Sequence, residues 1–509
     1  MIETALSPLR GCRRGETATG RQGRAVALPE LQQEIVEDVF SSLVLNDVLL
    51  WPSPRRPLDL LTPHRFSWMV KILISPPSRS QRPAPDTSSD SADPLRRPLP
   101  EFLLLLTLAA VQFTIAVDFV IMMPLGPQLI SIFQVTTPAF NGAVSAYATA
   151  AGISGLIGAL FLDRFDRKAA LLFIYAGFAL GTFFCGVAPS FGLLVVARAI
   201  AGIFGGIVGG VSLAIVGDLV PNVRRASAMG MVMSSFSFAQ VAGVPLGLYF
   251  ADKFSWHVPF TGLAALSGVI WLIALWRLPR VRGHLAASRQ ETPWIRFQGV
   301  LANADHLRAL ALMAVITFGG FMIIPDLADY LVANVGLTQE QLPWVYLVGG
   351  ATTLFSMNFV GWLADRYGRF RMFAIMMTCS VGAAFLVTHL PPLPLPLVLV
   401  ATTSFMVCMS GRFVPAITMI TSSVEPEHRG GFMSVNSAVA QFCSGLAASF
   451  AGLLITDTAQ HQLRGFGTCG WLYIGWAILG FWLASRLRTG GEVRDADLDR
   501  TGGEEGMLA

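Results

Sequence analysis

Two ionisable residues lie inside long apolar segments of the chain, where a charge has no water to solvate it. Asp118 is in the segment that begins near Phe102, and Arg198 is in a later one that begins near Phe191. A charged side chain at membrane depth costs about 2.5–3.5 kcal/mol or more, so such residues are usually paired or functional. An acid that gains and loses a proton beside a fixed positive charge is the chemistry that these residues could perform.

Helix geometry predicts that these two side chains meet. Asp118 follows Glu101 by 17 residues, which is about 25 Å along a helix. The segment of Arg198 runs in the opposite direction, and Arg198 lies near its beginning, so the two levels coincide. We therefore predict an ion pair with Asp118 as the proton carrier and Arg198 as its counter-charge. The alternative is a static ion pair that only holds two helices together.

Two further acids, Asp326 and Asp329, follow Pro325 near the end of another apolar segment. Because proline has no backbone N–H, it frees a carbonyl and permits the helix to bend there. We interpret the two acids as a possible outer gate or a second titrating site. The alternative is that they are solvated carboxylates at a helix end.

Six other polar residues fall inside apolar segments: Gln112, Gln240, Asn358, Arg412, Asn436 and Gln441. Arg412 stands out among them as an unpaired charge near mid-depth. Each amide could equally join two helices through a hydrogen bond worth under about 2 kcal/mol.

A short charged turn occurs twice in the chain. Residues 159–168 read Ala-Leu-Phe-Leu-Asp-Arg-Phe-Asp-Arg-Lys, and residues 361–371 read Gly-Trp-Leu-Ala-Asp-Arg-Tyr-Gly-Arg-Phe-Arg. Their first aspartates are 202 positions apart (365 − 163), and a second echo, 225–229 against 429–433, has an offset of 204. The chain is therefore predicted to be a duplicated membrane protein.

The repeated turns could clasp neighbouring helix ends. Carboxylates favour helix N-termini, and guanidiniums form forked hydrogen bonds with carboxylates. A clasp that closes one side of the membrane in one conformation and releases it in another would be a gate. The predicted cytoplasmic gate residues are Asp163, Arg164, Arg167, Asp218, Asp365, Arg366, Arg369 and Glu425. The alternative is a pair of generic basic loops.

The composition is that of a membrane protein. Of 509 residues, 53% are hydrophobic and 13% are charged, whereas soluble domains carry about 25% charged residues. A helix needs about 20 apolar residues to cross the bilayer, and twelve stretches fit. They define spans 1 to 12, near 102–124, 140–162, 169–189, 191–216, 227–250, 258–277, 308–333, 342–364, 371–390, 396–423, 430–455 and 468–487. The predicted fold class is all-α integral membrane.

The basic residues predict the orientation, because Lys and Arg accumulate in cytoplasmic loops. The loops after odd-numbered spans hold only Lys253 and Arg464, and the repeated turns and the other arginines of the loops between spans follow even-numbered spans. Both termini are then cytoplasmic. The formal net charge of +4 reflects this topology and does not suggest a nucleic-acid partner.

The regions outside the spans set the predicted domain boundaries. Residues 1–99 are rich in Arg, Pro and Ser and are predicted to be a disordered extension; the alternative is an overextended start site. The remaining boundaries are an N-terminal six-helix bundle at 100–278, a cytoplasmic linker at 279–306, a C-terminal six-helix bundle at 307–488 and a disordered tail at 489–509.

No pattern in the sequence predicts an enzyme. The six cysteines show no metal-ligand spacing, and there is no Walker-type loop, no metal-spaced His pair and no Gly-x-Ser-x-Gly elbow. We predict no catalytic residue, no metal and no cofactor.

Residues 361–371 resemble the signature loop of the major facilitator superfamily, Gly-x-x-x-Asp-Arg-x-Gly-Arg-Lys/Arg, which joins the second and third helices of each half. The first copy keeps the aspartate and two arginines, but Ala159 and Asp166 stand where the family usually has glycine. The resemblance covers about residues 100–490 and implies two pseudo-symmetric six-helix bundles with a substrate site between them. In such a fold, spans 1, 4, 5, 7, 8, 10 and 11 line the cavity, so the six polar residues become candidates for substrate contacts.

Two more stretches resemble proton-driven exporters of drugs or sugars, the arabinose-efflux-like permeases. One is Arg198-Ala-Ile-Ala-Gly202 in span 4, and the other is Ala242-Gly-Val-Pro-Leu-Gly247 in span 5, a shortened version of the antiporter Gly-Pro-Gly element. They imply a monomeric transporter of the cell (inner or plasma) membrane that expels a small organic molecule against proton entry by alternating access. The alternatives are proton-coupled uptake of a sugar or organic acid, with Arg412 as an anion contact, and a non-transporting receptor or assembly factor on the same fold.

Overall fold

A computed structural model of the protein describes residues 18–19, 25–26, 101–161, 164–279, 281, 303–425, 429–458 and 462–487. Its first element is an antiparallel pair of two-residue strands, Ala18–Thr19 and Ala25–Val26. All the spans lie in one compact unit, separate from these strands. The disorder predicted for residues 1–99 and 489–509, and most of the predicted linker, lie outside the described residues.

Helices occupy all twelve predicted spans. Nine spans, numbers 1–4, 6, 8, 9, 11 and 12, are single helices: Glu101–Ile121, Thr137–Phe161, Arg167–Gly186, Phe191–Leu219, His257–Arg277, Leu342–Tyr367, Arg369–Thr388, Arg429–Leu454 and Phe466–Ser485. Within the described residues, eleven spans are long and apolar enough to cross a membrane. Span 2 is the twelfth, and its 25 residues extend about 37 Å. The prediction of an all-α, multi-pass membrane fold is confirmed.

Three spans are interrupted. Span 5 consists of Asn222–Phe238, a π-helical turn at Ala239–Gly243 and Val244–Lys253; span 7 of Ala304–Phe321, Leu327–Tyr330 and a π-helical turn at Leu331–Val335; span 10 of Leu395–Gly411 and Phe413–Ser422. The break in span 7 contains Pro325, where the bend was expected, because proline cannot continue the backbone hydrogen-bond ladder. The bend places Asp326 directly before a separate short helix and Asp329 within it.

Short elements connect some of the spans. A helix at Gly126–Phe133 follows span 1, and a 3₁₀ turn at Gln339–Gln341 precedes span 8. Strands Thr456–Asp457 and Leu463–Arg464 pair antiparallel between spans 11 and 12. This small hairpin holds Asp457 at the end of span 11.

The two halves of the chain meet mainly through span 2 against span 11 and span 5 against span 8. We call the end of the molecule that carries the repeated charged turns the basic face, and the other end the opposite face. Toward the opposite face, Ser449 Oγ donates to Ser145 Oγ at 2.7 Å, and the rings of Phe119 and Phe321 lie 5.7 Å apart. The halves are therefore closed against each other at the opposite face.

Within the first half, the glycine-rich part of span 4 packs directly on span 2. Gly202 lies against the backbone carbonyl of Tyr147, and Gly206 lies against that of Ala151, so a Cβ at either glycine would overlap backbone atoms. Gly210, one turn further along the same helix, has open space around it. Small residues at this spacing allow helix backbones to approach closely in a membrane.

This contact predicts different effects for two matched substitutions. Gly206→Ala should lower the thermal unfolding temperature of the purified protein, because the new methyl group forces the two backbones apart at a cost of about 1–3 kcal/mol. Gly210→Ala should leave it unchanged or raise it slightly, since alanine is the better helix former. Equal melting temperatures for the two variants would contradict the packing of span 4 on span 2.

Candidate functional site

The predicted ion pair between spans 1 and 4 is present. Arg198 Nη1 donates to Asp118 Oδ2 at 2.9 Å and to the Asp118 backbone carbonyl at 3.1 Å. Both side chains have zero solvent exposure. An ionised pair this deep needs further hydrogen bonds to offset the loss of hydration, and the neighbouring helices supply some of them.

Spans 2 and 3 complete the surroundings of the pair. Thr182 Oγ1 donates to Asp118 Oδ1 at 3.2 Å, and the Arg198 guanidinium lies over the Tyr147 ring, 4.2 Å from its centroid, in a cation–π arrangement. In the described part of the chain, Arg198 Nε and Nη2 and the Tyr147 hydroxyl have no hydrogen-bond partner. The Arg198 guanidinium therefore has N–H donors, at Nε and Nη2, that could bind other acceptors.

Aromatic rings connect the ion pair to the other half of the molecule. Tyr147 is 5.5 Å from Phe119 between ring centroids, and Phe119 is 5.7 Å from Phe321 of span 7. Phe119 directly follows Asp118 in the chain. A movement of the ion pair would therefore alter the ring contact between spans 1 and 7.

The glycine element of span 5 packs on the turn of span 1 that carries the acid. A Cβ at Gly243 would overlap the side chain of Val117, which precedes Asp118, and a Cβ at Gly247 would overlap Ile121. The preceding residues, Ala239–Gly243, form the π-helical turn, a deformation often found at functional sites. The two stretches that suggested an exporter thus lie around the same acid.

Arg412 was expected to be an unpaired charge, and among the described residues it has no acidic partner, but its side-chain nitrogens donate hydrogen bonds to neutral groups. Its Nη1 donates to Tyr473 Oη at 2.6 Å, its Nη2 to the Ile316 carbonyl at 2.8 Å and its Nε to the Met409 carbonyl at 3.3 Å. The Tyr473 hydroxyl also lies 2.6 Å from Ser380 Oγ. These donors are used inside the second half, so Arg412, only 1% exposed, offers little to a substrate in this conformation.

The five candidate amides differ in burial. Asn436 is buried, and its Oδ1 has no hydrogen-bond partner among the described residues. Gln112, Gln240 and Gln441 are half-buried. Asn358 was expected to be buried but is exposed, and its amide donates to the Leu354 carbonyl of its own helix at 2.9 Å. A substrate contact stays a prediction for each of them.

Asp326 and Asp329 are buried, with 0% and 7% exposure, so the alternative of solvated helix-end carboxylates is wrong. The bend at Pro325 turns both toward span 2 of the other half. Asn141 Nδ2 donates to Asp326 Oδ2 at 3.0 Å, and Thr137 Oγ1 lies 2.9 Å from Asp329 Oδ2. The two acids therefore take part in the closure of the opposite face.

At the basic face, the first charged turn binds three helix ends. Arg167 Nε lies 3.3 Å from Asp218 Oδ2 at the end of span 4. Lys168 Nζ donates to the carbonyls of Leu275 and Leu278 at the end of span 6, at 2.8 and 2.6 Å, where a cation is favoured. The predicted partner Asp218 is thus brought to the turn, and Lys168 is a member that the sequence did not single out.

The other predicted gate residues are exposed or lie outside the described residues. Asp163 lies outside the described residues, and Arg164 is exposed over the Phe161 ring at 5.7 Å. In the second turn, Asp365, Arg366 and Arg369 are exposed, and Glu425 is exposed at the end of span 10. Their role in a gate stays a prediction.

The two turns also differ in backbone conformation. Gly368 has φ 99°, in the region that favours glycine, and this explains the glycine in the second copy. Asp166, its counterpart 202 positions earlier, has φ −57° and caps span 3 by accepting a hydrogen bond from Lys168 N at 2.9 Å. The first copy therefore replaces a glycine turn by a side-chain cap.

Several residues of these sites were missed from the sequence. Tyr147 and Tyr473, which contact the two buried arginines, are uncharged and gave no signal. Asn141 and Thr137 lie at the beginning of span 2, where polar residues are unremarkable. Asp457 lies in the short connection between spans 11 and 12, and only the fold brings it to span 2. Among the described residues, no group of three or more His, Cys, Asp or Glu is placed to hold a metal ion.

Comparison with known proteins gives one consistent result. The family model of the Major Facilitator Superfamily matches residues 108–407 and 309–500. The chain is 28% identical over 355 residues to the uncharacterized MFS-type transporter YceJ of Bacillus subtilis, covering 69% of this chain and 89% of that protein. It is 25% identical over 386 residues to the inner membrane transport protein YdhP of Escherichia coli K12, covering 75% and 96%.

A solved structure has the same fold. The bacterial homologue of the human lysosomal transporter Spinster, in an inward-facing and unoccupied conformation, aligns with a TM-score of 0.62 at 16% identity, covering 76% of this chain and 97% of that one. The match of the family model over most of the spans agrees with this architecture of two six-helix bundles. The chain belongs to the Major Facilitator Superfamily and is a membrane transporter of that family.

Proposed function

We propose that this transporter expels a small organic molecule in exchange for protons by alternating access. The observation that carries the proposal is the Asp118–Arg198 pair. Its side chains are buried from solvent, and the rings of Tyr147, Phe119 and Phe321 connect it to the other half. A charged pair at this depth is costly. A non-transporting receptor on the same fold would gain little from it.

Protonation of Asp118 would remove the charge that holds Arg198. Arg198 Nε and Nη2, which lack partners in the described structure, could then turn toward other acceptors. Because Arg198 lies on Tyr147, and Tyr147 contacts Phe119, its movement would disturb the contact with Phe321. This is a physical route from proton binding to separation of the halves.

In the predicted orientation, the closed opposite face lies on the exterior side of the membrane. The first charged turn ties the ends of spans 3, 4 and 6 together within one half, so that half would move as a unit. We infer a multi-pass protein of the inner or plasma membrane with both termini cytoplasmic, acting as a monomer.

Export is favoured over uptake by the span 4 and span 5 stretches, which resemble those of antiporters and pack around Asp118. The uptake alternative depended on Arg412 as an anion contact. Since hydrogen bonds within the second half use Nε and both terminal nitrogens of Arg412, that alternative loses its main support in this conformation.

The proton-carrier role predicts that protein stability and proton-coupled transport can be changed separately. In proteoliposomes with an imposed pH gradient, Asp118→Asn should abolish gradient-driven flux of candidate drugs and sugars, read with a pH-sensitive dye. It should also destabilise the protein, because removing one partner of a buried pair costs about 3–5 kcal/mol.

The double variant Asp118→Asn with Arg198→Gln separates this role from a static ion pair. It should recover much of the lost thermal stability, because no unpaired charge is left buried, and should still lack coupling. Gradient-driven flux at the wild-type rate in the double variant would show that the pair is only structural.

The basic-face clasp predicts a charge-swap result. Arg167→Asp should slow transport, because like charges then face each other at the ends of spans 3 and 4, and adding Asp218→Arg should restore a large part of the rate. The matched control is Arg308→Ala, which breaks an ion pair of 2.7 Å with Asp305 at the same face but within one helix. Failure of the swap to restore any transport would argue against the clasp.

A further inference from the structure

At the opposite face, polar groups from three chain segments meet between the halves. Thr137 and Asn141 come from the first turns of span 2, Asp326 and Asp329 from the N-cap and the beginning of the short helix of span 7, and Asp457 from the hairpin after span 11. The exposure of the acids decreases inward, because Asp457 is exposed while Asp329 and Asp326 are 7% and 0% exposed. The cluster thus leads from solvent into the contact between the halves.

The hydrogen bonds around Thr137 need one proton more than its hydroxyl provides. Thr137 Oγ1 lies 2.7 Å from Asp457 Oδ1 and 2.9 Å from Asp329 Oδ2, and Thr137 N donates to Asp457 Oδ2 at 2.8 Å. A hydroxyl has a single hydrogen, so it donates to one of these carboxyl oxygens and can only accept from the other. The second contact is a hydrogen bond only if one of the two carboxyls is protonated.

An unpartnered acceptor points to a second proton in the same place. Asn141 is fully buried and donates to Asp326, but its own Oδ1 has no hydrogen-bond partner within the described residues, and neither does Asp326 Oδ1. A buried acceptor without a donor is costly. A proton on Asp326 would neutralise its charge and turn one of these two acceptors into a donor.

Other titratable and charged side chains on the elements packed around the cluster do not supply these hydrogens. Cys469, on span 12, is buried, and Tyr330 donates to the Leu390 carbonyl at 2.9 Å. His389 and Arg464 are exposed at the same face. Among the described residues, none of these four has a hydrogen bond or ion pair with Asp326, Asp329 or Asp457, so the carboxyls have no basic partner there.

We infer that Thr137, Asn141, Asp326, Asp329 and Asp457 form a proton-binding site between the two halves, occupied when the opposite face is closed. Loss of the proton would leave Asp329 and Asp457, both in the second half, as carboxylates that compete for the single hydrogen of the Thr137 hydroxyl. One of the hydrogen bonds that join span 2 to the second half would then be lost, which favours separation of the halves. The inference rests on the alternating access in the proposed function but not on Asp118. Protons would then enter from the opposite face through the exposed Asp457.

The test is a distance measurement across the opposite face as a function of pH. Nitroxide labels at Ser131→Cys and Glu340→Cys, both exposed and in different halves, would be introduced after replacement of the native cysteines, and distances read by double electron–electron resonance in liposomes without substrate. The closed-to-open ratio should fall with rising pH, by up to about tenfold per pH unit for each bound proton that opening releases. The sign follows because the closed state binds the proton and the open state does not.

The variants then identify the groups. Asp329→Asn carries a permanent donor to Thr137 and should stay closed to a higher pH than the parent, with a shallower pH dependence, because only Asp326 is left to release a proton. Asp457→Asn, at an exposed position, should do the same and serves if the first variant does not fold. Asp252→Asn, a carboxylate change elsewhere at this face, should titrate like the parent. A parent ratio independent of pH, or Asp329→Asn and Asp457→Asn that both titrate like it, would overturn the inference.

Two further measurements distinguish the proton site from a cation site and from the Asp118–Arg198 pair. Closure that follows sodium concentration at fixed pH, and not pH itself, would indicate a cation site and contradict the proton site. Asp118→Asn should retain the pH-dependent opening, because the site is built without Asp118. Absence of gradient-driven flux together with intact pH-dependent opening would reject the proposed function while supporting this site.

Discussion

A guanidinium does not lose its charge in a protein, so each arginine buried at membrane depth must be satisfied by the chain itself. The molecule meets this constraint twice in different ways. Arg198 faces a carboxylate, whose charge a proton can cancel. Arg412 lies 17 residues into span 10, compared with 7 for Arg198 in span 4, or about 15 Å deeper, and is held by a hydroxyl and backbone carbonyls. The duplicated halves thus carry one arginine site that a proton can alter and one that is fixed.

The position in the second half that corresponds to Asp118 explains why Arg412 has no carboxylate beside it. Gly320 is 202 positions after Asp118, and a Cβ at Gly320 would lie 2.7 Å from Arg412 Nη2. A carboxylate side chain does not fit there without displacing the guanidinium. The same position of the repeat is therefore an acid, Asp118, in the first half and a glycine, Gly320, that leaves room for an arginine in the second half.

The features that depend on membrane depth and helical periodicity could be predicted from the sequence. The twelve spans, the bend at Pro325 and the meeting of Asp118 with Arg198 all follow from counting residues along helices of known rise. Burial of Asp326 and Asp329 did not, because it requires a partner half whose approach the local pattern cannot show. The same holds for Asp457, which a hairpin of four paired residues delivers to Thr137, and for Asp166, whose replacement of glycine becomes intelligible only with its capping hydrogen bond.

Span 2 is the element on which both charge sites act, and its helical periodicity separates their effects. Thr137, Asn141, Ser145 and Thr149 recur every four residues and face the second half, whereas Tyr147 and Ala151 lie on the other side against Gly202 and Gly206 of span 4. The glycine contacts fix span 2 to its own half, so a separation must run along the row of threonine, asparagine and serine. Hydroxyl and amide groups can exchange their partners across this row for water at little net cost. An interface of this kind can open and close repeatedly. Asp326, Asp329 and Asp457 lie at its end near the opposite face, where their charge can control the opening.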